Sequence, residues 1–135
     1  MVDKNKPIIA ADRRHGLEER RLCESDFRFM QVVWDSEPTG SMNLAKLCAE
    51  RLGWKKSTTF TMIRKLAERG FIKNENSVVT ALVGRDEARK KESSLFIEQT
   101  FGGSLPIFLA SFFGGKKITE EEAEELKKLI DEHKE

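Results

Sequence analysis

A mainly α fold carrying one small β-hairpin is predicted by three observations. Apolar residues recur at helical spacing in three successive segments between residues 25 and 69; two short apolar stretches joined by a polar turn follow them; and three further helical segments, separated by glycine pairs, complete the chain. The 135 residues suit one compact domain, or a small domain with an appended module.

The first helix is expected from an N-cap at Ser25 through about Ser36, with Phe27, Met30, Val33 and Trp34 as its buried stripe. Pro38 and Gly40 in "DSEPTGS" break it. A second helix runs from Ser41, its expected cap, to Leu52; it buries Leu44, Leu47, Cys48 and Leu52 and stops at Gly53. Ser57 opens the third, which ends near Arg69 with Gly70 as the left-handed residue beyond it. "FIKNENSVVTALV" reads as strands Phe71–Lys73 and Val78–Val83 around the turn Asn74–Ser77. A charged helix follows from about Arg85 to Phe101, then the break Gly102–Ser104, the apolar segment "LPIFLASFF", a second break at Gly114–Lys116, and an acidic helix. Thr119 caps this last helix, with Glu122 at N3 to close a capping box.

Helix, helix, helix, hairpin is the order of a winged helix-turn-helix. The expected organisation is a flexible arm over 1–22, a winged-helix domain over 23–84 and a helical dimerisation domain over 85–135. The arm is read from its paired arginines Arg13/Arg14 and Arg20/Arg21, mixed with acids and without periodicity. Whether those arginines reach a minor groove or solvate a tail stays open.

Composition narrows the function classes. With 39% hydrophobic and 35% charged residues there is material for a core, but no apolar run approaches the roughly 18 residues of a membrane span. No signal-peptide pattern opens the chain, so a cytoplasmic protein without membrane insertion is expected. Cys23 and Cys48 sit outside any CxxC or Cys/His cluster and read as two buried free thiols, ahead of a disulfide or metal pair. No metal or cofactor site is expected. His15 and His133 lie without a nucleophile or carboxylate constellation, and consecutive glutamates from Glu120 point in different directions on a helix, so catalysis is not expected.

The net charge of +1 hides an asymmetry. Residues 1–84 hold 15 Lys/Arg against 11 Asp/Glu, and residues 85–135 hold 9 against 12. Residues 54–73 are the most basic stretch, where Lys55, Lys56, Arg64, Lys65, Arg69 and Lys73 face only Glu68. Setting Phe60 at zero and stepping about 100° per residue places Phe60, Ile63 and Ala67 within about 60° of one another, with Leu66 and Thr59 on their flank. Thr58, Thr61, Lys65 and Arg69 then fall on the opposite side, so hydroxyls followed by cations are expected to face out.

Such a stripe suits DNA. Small hydroxyls let a helix approach a major groove closely and donate to base edges or phosphate, while Lys55, Lys56, Lys65 and Arg69 neutralise phosphates. Lys73, Asn74 and Asn76 at the hairpin tip extend the same surface. A capped surface helix with a solvated basic face is the alternative, and the helix-helix-helix-hairpin order argues against it.

The segments "ESDFRFMQVVWDSEPTGSMNLAKLCAERLGWKKSTTFTMIRKLAERGFIK", "FIEQTFGGSLPIFLASFF" and "TEEEAEELKKLIDEH" resemble the BlaI/MecI/CopY family, the penicillinase-repressor type of bacterial regulator, over roughly residues 22–133. The resemblance implies a homodimeric repressor on a palindromic operator, with the third helix as recognition helix. It assigns base contacts to Ser57, Thr58, Thr61 and Lys65 and phosphate contacts to Lys55, Lys56 and Arg64. Some members carry a basic residue where this chain has Phe60, which the angular reading turns inward. Beta-lactam-responsive members are cleaved near the end of the fourth helix after a membrane sensor protease signals; the matching positions are Gln99, Thr100 and Phe101. The copper-responsive branch carries a cysteine-rich C-terminal motif, and no cysteine follows Cys48.

The rear half reads as a dimer arm. Leu105, Phe108, Leu109, Phe112 and Phe113 could together bury several hundred Å², on the order of 10 kcal/mol before entropic costs. Leu95, Phe96, Leu126, Leu129 and Ile130 complete the expected interface; folding back onto the winged helix is the competing arrangement. Two readings compete with the repressor: a winged-helix protein-interaction module, and a regulator holding a small molecule between wing and dimer helices.

Overall fold

Cys23, not Ser25, terminates the first helix. Its backbone N–H donates to the Asp26 carboxylate at 3.1 Å, which moves the start of α1 (Glu24–Ser36) upstream of the expected cap and places Glu24 and Asp26 at the positive end of its dipole. The computed structural model describes residues 21–135; Arg13, Arg14, His15 and Arg20, assigned to the arm, lie outside the described residues. Leu22, also assigned to the arm, is a core residue, and Cys23 is exposed rather than buried.

The face that α1 buries is Phe29, Met30, Val32 and Val33, with the expected Phe27 and Trp34 only partly covered at its edges. Pro38, in a cis peptide with Glu37, cannot extend the helix, and the chain turns into the short strand β1 (Thr39–Gly40). This strand was not expected; the "DSEPTGS" segment reads locally as a turn because its pairing partner lies some forty residues away. α2 (Ser41–Leu52) starts with Gly40 as its N-cap, so Ser41 is its first residue rather than its cap. Ser41 N–H donates instead to the Ser77 carbonyl at 2.7 Å. Leu44, Ala45 and Cys48 are buried, Leu47 and Leu52 partly so, and Gly53 ends the helix at φ 71°.

α3 (Lys56–Glu68) ends in a Schellman pattern. Gly70 N–H reaches the Ala67 carbonyl and Phe71 N–H reaches the Leu66 carbonyl, with Gly70 at φ 85° and both Leu66 and Phe71 buried. β2 (Ile72–Glu75) and β3 (Val78–Ala81) form the expected hairpin in a tighter register, with Glu75 opposite Val78. Only Asn76 and Ser77 remain in the turn, both left-handed at φ 52° and 63°, the signature of a type I′ hairpin. β1 pairs antiparallel with β3, Thr39 opposite Val79, so the wing is a three-stranded sheet ordered β1-β3-β2.

α4 (Arg85–Phe101) begins where Trp34 Nε1 donates to the Val83 carbonyl at 2.9 Å and the Arg85 guanidinium lies over the Trp34 ring. Asp35 accepts from Arg85 and pairs with Arg51. Ala88 is buried in the core that Leu22, α1, α2, α3 and the sheet share. These elements make a winged helix-turn-helix, in a mainly α chain as expected.

The described residues through Ser93 form one compact unit and Ser94–Glu135 a second. In the second, Phe96, Phe101 and Phe108 meet edge to face at centroid distances of 5.3–6.1 Å. α5 (Leu105–Phe113) is capped by Ser104 Oγ, which accepts from Ile107 N–H, and α6 (Glu120–His133) by Thr119 Oγ1, which accepts from Glu122 N–H. Among the described residues no single helix is long and apolar enough to cross a membrane.

Candidate nucleic-acid interface

α3 starts without a side-chain cap. Its N-cap is Lys55, and Ser57, expected to cap it, is the second helical residue. The hydroxyl clusters differ in use: Ser104 and Thr119 close the ends of α5 and α6, whereas Ser57 and Thr58 are exposed beside N–H groups with no side-chain acceptor. An uncapped helix N-terminus flanked by Lys55 and Lys56 carries positive potential from both its dipole and its ammonium groups.

The buried face of α3 is Thr59, Met62, Ile63 and Leu66. It is turned about 80° from the expected Phe60/Ile63/Ala67 centre at 100° per residue. Phe60 is half-buried at the rim, with the Lys56 ammonium 5.9 Å above its ring, and Ala67 is likewise partly covered. Thr59 is the inward residue, wholly inaccessible, its hydroxyl left with only the weakly hydrogen-bonding Cys48 thiol beside it. Beside it, burial pushes the Cys48 thiol pKa up, against smaller opposing contributions from Thr59 and Arg51.

Rotation changes which residues share the outward line. Thr58, Thr61 and Lys65 are exposed as expected, but Ser57, Arg64 and Glu68 join Thr61 at the centre of the face. Arg64 and Glu68 form an i,i+4 pair at 3.3 Å. Arg69, expected along the outward stripe, belongs to the scaffold. Its Nη1 donates to Asp26 Oδ2 at 3.0 Å, its Nη2 donates to the Arg21 carbonyl, and its guanidinium lies 5.1 Å over the Phe71 ring. Burial opposes the charged form of Asp26, yet the Cys23 N–H and then Arg69 outweigh it and hold the carboxyl below its ordinary range.

On the wing, Lys73 and Asn74 lie on β2 and Asn76 in the turn, all exposed. Lys73 pairs with Glu75 at 2.9 Å. The first unit thus presents Lys55, Lys56, Ser57, Thr58, Thr61, Arg64 and Lys65 from α3 and its approach, and Lys73, Asn74 and Asn76 from the wing. Sequence reasoning missed Asp26, which no local signal marks; Thr59, expected on the flank of the inward face, lies within it, and the acid-to-arginine spacing of Arg64 and Glu68 marks their pairing. Among the described residues no group of three or more His, Cys, Asp or Glu is placed to hold a metal.

In the second unit none of the residues is buried. Phe96, Leu105, Phe112, Leu129 and Ile130 are exposed, while Leu95, Phe101, Phe108, Leu109, Phe113 and Leu126 are half-buried. Ile107, at 60% the most exposed of the large apolar residues on α5, was not among the expected contacts. Gln99 and Thr100 are exposed, and the glycines after Phe101, Gly102 and Gly103, take positive φ.

A family model described as penicillinase repressor matches residues 22–132. The methicillin resistance regulatory protein MecI of Mammaliicoccus sciuri is 22% identical over 113 residues, 81% of this chain and 92% of that protein. A penicillinase repressor of Bacillus licheniformis is 20% identical over 118 residues, 84% of this chain and 92% of that protein. A 16.5 kDa protein of Latilactobacillus sakei is 26% identical over 113 residues, 81% of this chain and 77% of that protein.

Proposed function

The chain belongs to the penicillinase repressor family, a family of transcriptional repressors rather than enzymes, and from that premise we propose that it acts in the cytoplasm as a homodimer on a palindromic operator controlling beta-lactam resistance or related genes. The observation that carries this reading is the outward face of α3. Its N-terminus is uncapped, Ser57, Thr58 and Thr61 are exposed on it, and Lys55, Lys56 and Lys65 surround them. α3 enters the major groove, the hydroxyls contact base edges, and Lys55, Lys56 and Arg64 contact phosphates on the groove walls. Lys73, Asn74 and Asn76 bring the wing to the flanking backbone.

Dimerisation is supported by the second unit, whose apolar side chains have no buried core of their own. A second copy provides the missing cover, and two half-site contacts joined in one molecule gain avidity. Derepression follows from cleavage at Gln99–Phe101, which detaches α5 and α6; exposure of Gln99 and Thr100 beside two glycines supports access there. Immunoblots of cells challenged with a beta-lactam would then show a fragment ending near Phe101.

Fluorescence anisotropy with a labelled duplex selected by the protein from a randomised pool, against its scrambled version and at several salt concentrations, tests the central claim. Binding that is sequence-dependent and weakens with salt is expected. Absence of binding to every duplex at low salt would sink it and favour a protein-interaction module.

A further inference from the structure

Between the end of α3 and the start of α4 the first unit holds a partly open cavity of about 220 Å³. Its walls come from Leu22, the turn after α3, the end of the wing and the first two turns of α4. We propose that it binds a small α-amino acid with an apolar side chain, a function beyond DNA binding and independent of it.

The space equals about seven waters at about 30 Å³ each and lies below the roughly 300 Å³ at which sites for drug-sized ligands begin, so the occupant is small. Leu22, Phe71 and Ala88 are buried and Val83 is half-buried, which makes the floor apolar.

Four charged side chains complete the lining, and they are of two kinds. Arg69 is committed to Asp26, and Glu92 accepts from Arg21 Nε at 3.2 Å and from Leu22 N–H at 3.0 Å. Glu87 and Lys91 differ: among the described residues neither side chain has a hydrogen-bond or ion-pair partner. They stand one turn apart on α4, where Cβ atoms of i,i+4 neighbours are about 5–6 Å apart, yet they do not pair with each other. Glu87 is exposed and Lys91 half-buried, so two opposite, unmet charges rim a space whose floor is apolar.

An α-amino acid carries the matching pattern. Its carboxylate accepts from the Lys91 ammonium, its ammonium donates to the Glu87 carboxylate, and its apolar side chain displaces water from Phe71, Val83 and Ala88. A carboxylate or an amine alone leaves one of the two charges unmet, and a ligand without an apolar group forfeits the floor.

Titration of the full chain with leucine, followed through backbone amide NMR shifts, tests this. Saturable shifts are expected at Gly70, Phe71, Ala88 and Lys91, with a dissociation constant on the order of 1 mM or tighter. Isocaproate, which lacks the ammonium, isopentylamine, which lacks the carboxylate, and free glycine, which lacks the apolar group, should each bind about tenfold more weakly. Lys91→Gln and Glu87→Gln should each weaken leucine binding about tenfold, whereas Lys90→Gln, which removes a neighbouring charge outside the lining, should leave it level. Because neither lining side chain is tied to another, both variants should unfold at the wild-type midpoint. No shifts at ten times the expected dissociation constant, shifts centred outside the cavity, equal binding of any of the three analogues, or unaltered affinity in either Gln variant would overturn the proposal, whatever the protein's affinity for DNA.

Discussion

Arg69 Nη1 donates to Asp26 Oδ2 at 3.0 Å, joining the C-terminal end of α3 to the first turn of α1. Asp26 is 7% exposed, so its charge depends on that guanidinium and on the Cys23 N–H. Removing Arg69 leaves a carboxylate buried without its cation. Arg69→Ala is expected to lose about 2–3 kcal/mol in urea unfolding, and Asp26→Asn about 1–2 kcal/mol, because the amide still accepts from Cys23. Equal stability of Arg69→Ala and wild type would show that the pair is incidental.

The same carboxyl gives a pH signature. Its folded pKa lies below the ordinary 3.8, so its stabilisation is complete above 3.8 and disappears as pH falls through the lower folded value. Asp35, held low by Arg85 and then Arg51, slopes the same way. Stability measured from pH 6 down to pH 2 should fall less steeply in Asp26→Asn than in wild type. Parallel curves for the two proteins would remove Asp26 from the account.

These contacts also show where sequence reading succeeds and where it stops. Gly53, Gly70 and Thr119 were legible because each acts on backbone within five residues of itself. The outward placement of Thr58, Thr61 and Lys65 was legible too, since the buried and exposed sides of α3 are separated by half a turn. What failed was non-local. β1 exists only because Val78 and Val79 lie opposite Gly40 and Thr39; Leu22 is core only because the unit folds over it; and Asp26 outcompetes Ser25 as a capping partner through the additional hold of Arg69. The centre of the inward face of α3 lies toward Thr59 and Leu66, expected on its flank, rather than at Phe60, the residue that hydropathy favours because a threonine ranks below a phenylalanine. Thr59 nevertheless lies fully buried beside Cys48.

That burial leads to a prediction with an unusual sign. Thr59 Oγ1 is buried with only the Cys48 thiol, a weak partner, beside it, so its desolvation is poorly compensated. Thr59→Val keeps the shape and deletes the hydroxyl, and should raise stability by up to about 1 kcal/mol, read as a higher Tm, with DNA affinity unchanged. Thr59→Ala, which opens a gap instead, should lower it by about 1 kcal/mol. A destabilised Thr59→Val would mean that the Cys48 thiol compensates the buried hydroxyl.

Thr61 and Lys65 should separate by the kind of loss they cause. Thr61→Ala is expected to cost about 1 kcal/mol on the selected duplex and almost nothing on its scrambled version, relaxing sequence preference. Lys65→Ala should weaken both duplexes alike and reduce the salt slope by about 1, if its ammonium meets phosphate; a loss confined to the selected duplex would instead make it a base reader, as the family resemblance implies. If neither substitution changes affinity or preference, α3 is not the element that reads DNA.

Phe112 is 48% exposed and Leu129 52% exposed in a unit that buries no residue completely. On the proposed dimer arm single charged substitutions disrupt apolar surface that a second copy would cover, so Phe112→Glu and Leu129→Glu are expected to sediment as monomers at micromolar concentration where wild type sediments as a dimer. Neither residue belongs to the first unit, whose core remains complete, and far-UV circular dichroism should be preserved. Because half-sites then bind independently, affinity for a palindromic duplex should drop about 100-fold, while affinity for a single half-site stays level. A wild-type protein that is monomeric at micromolar concentration would remove the dimer arm, and variants that stay dimeric would place the interface on other residues.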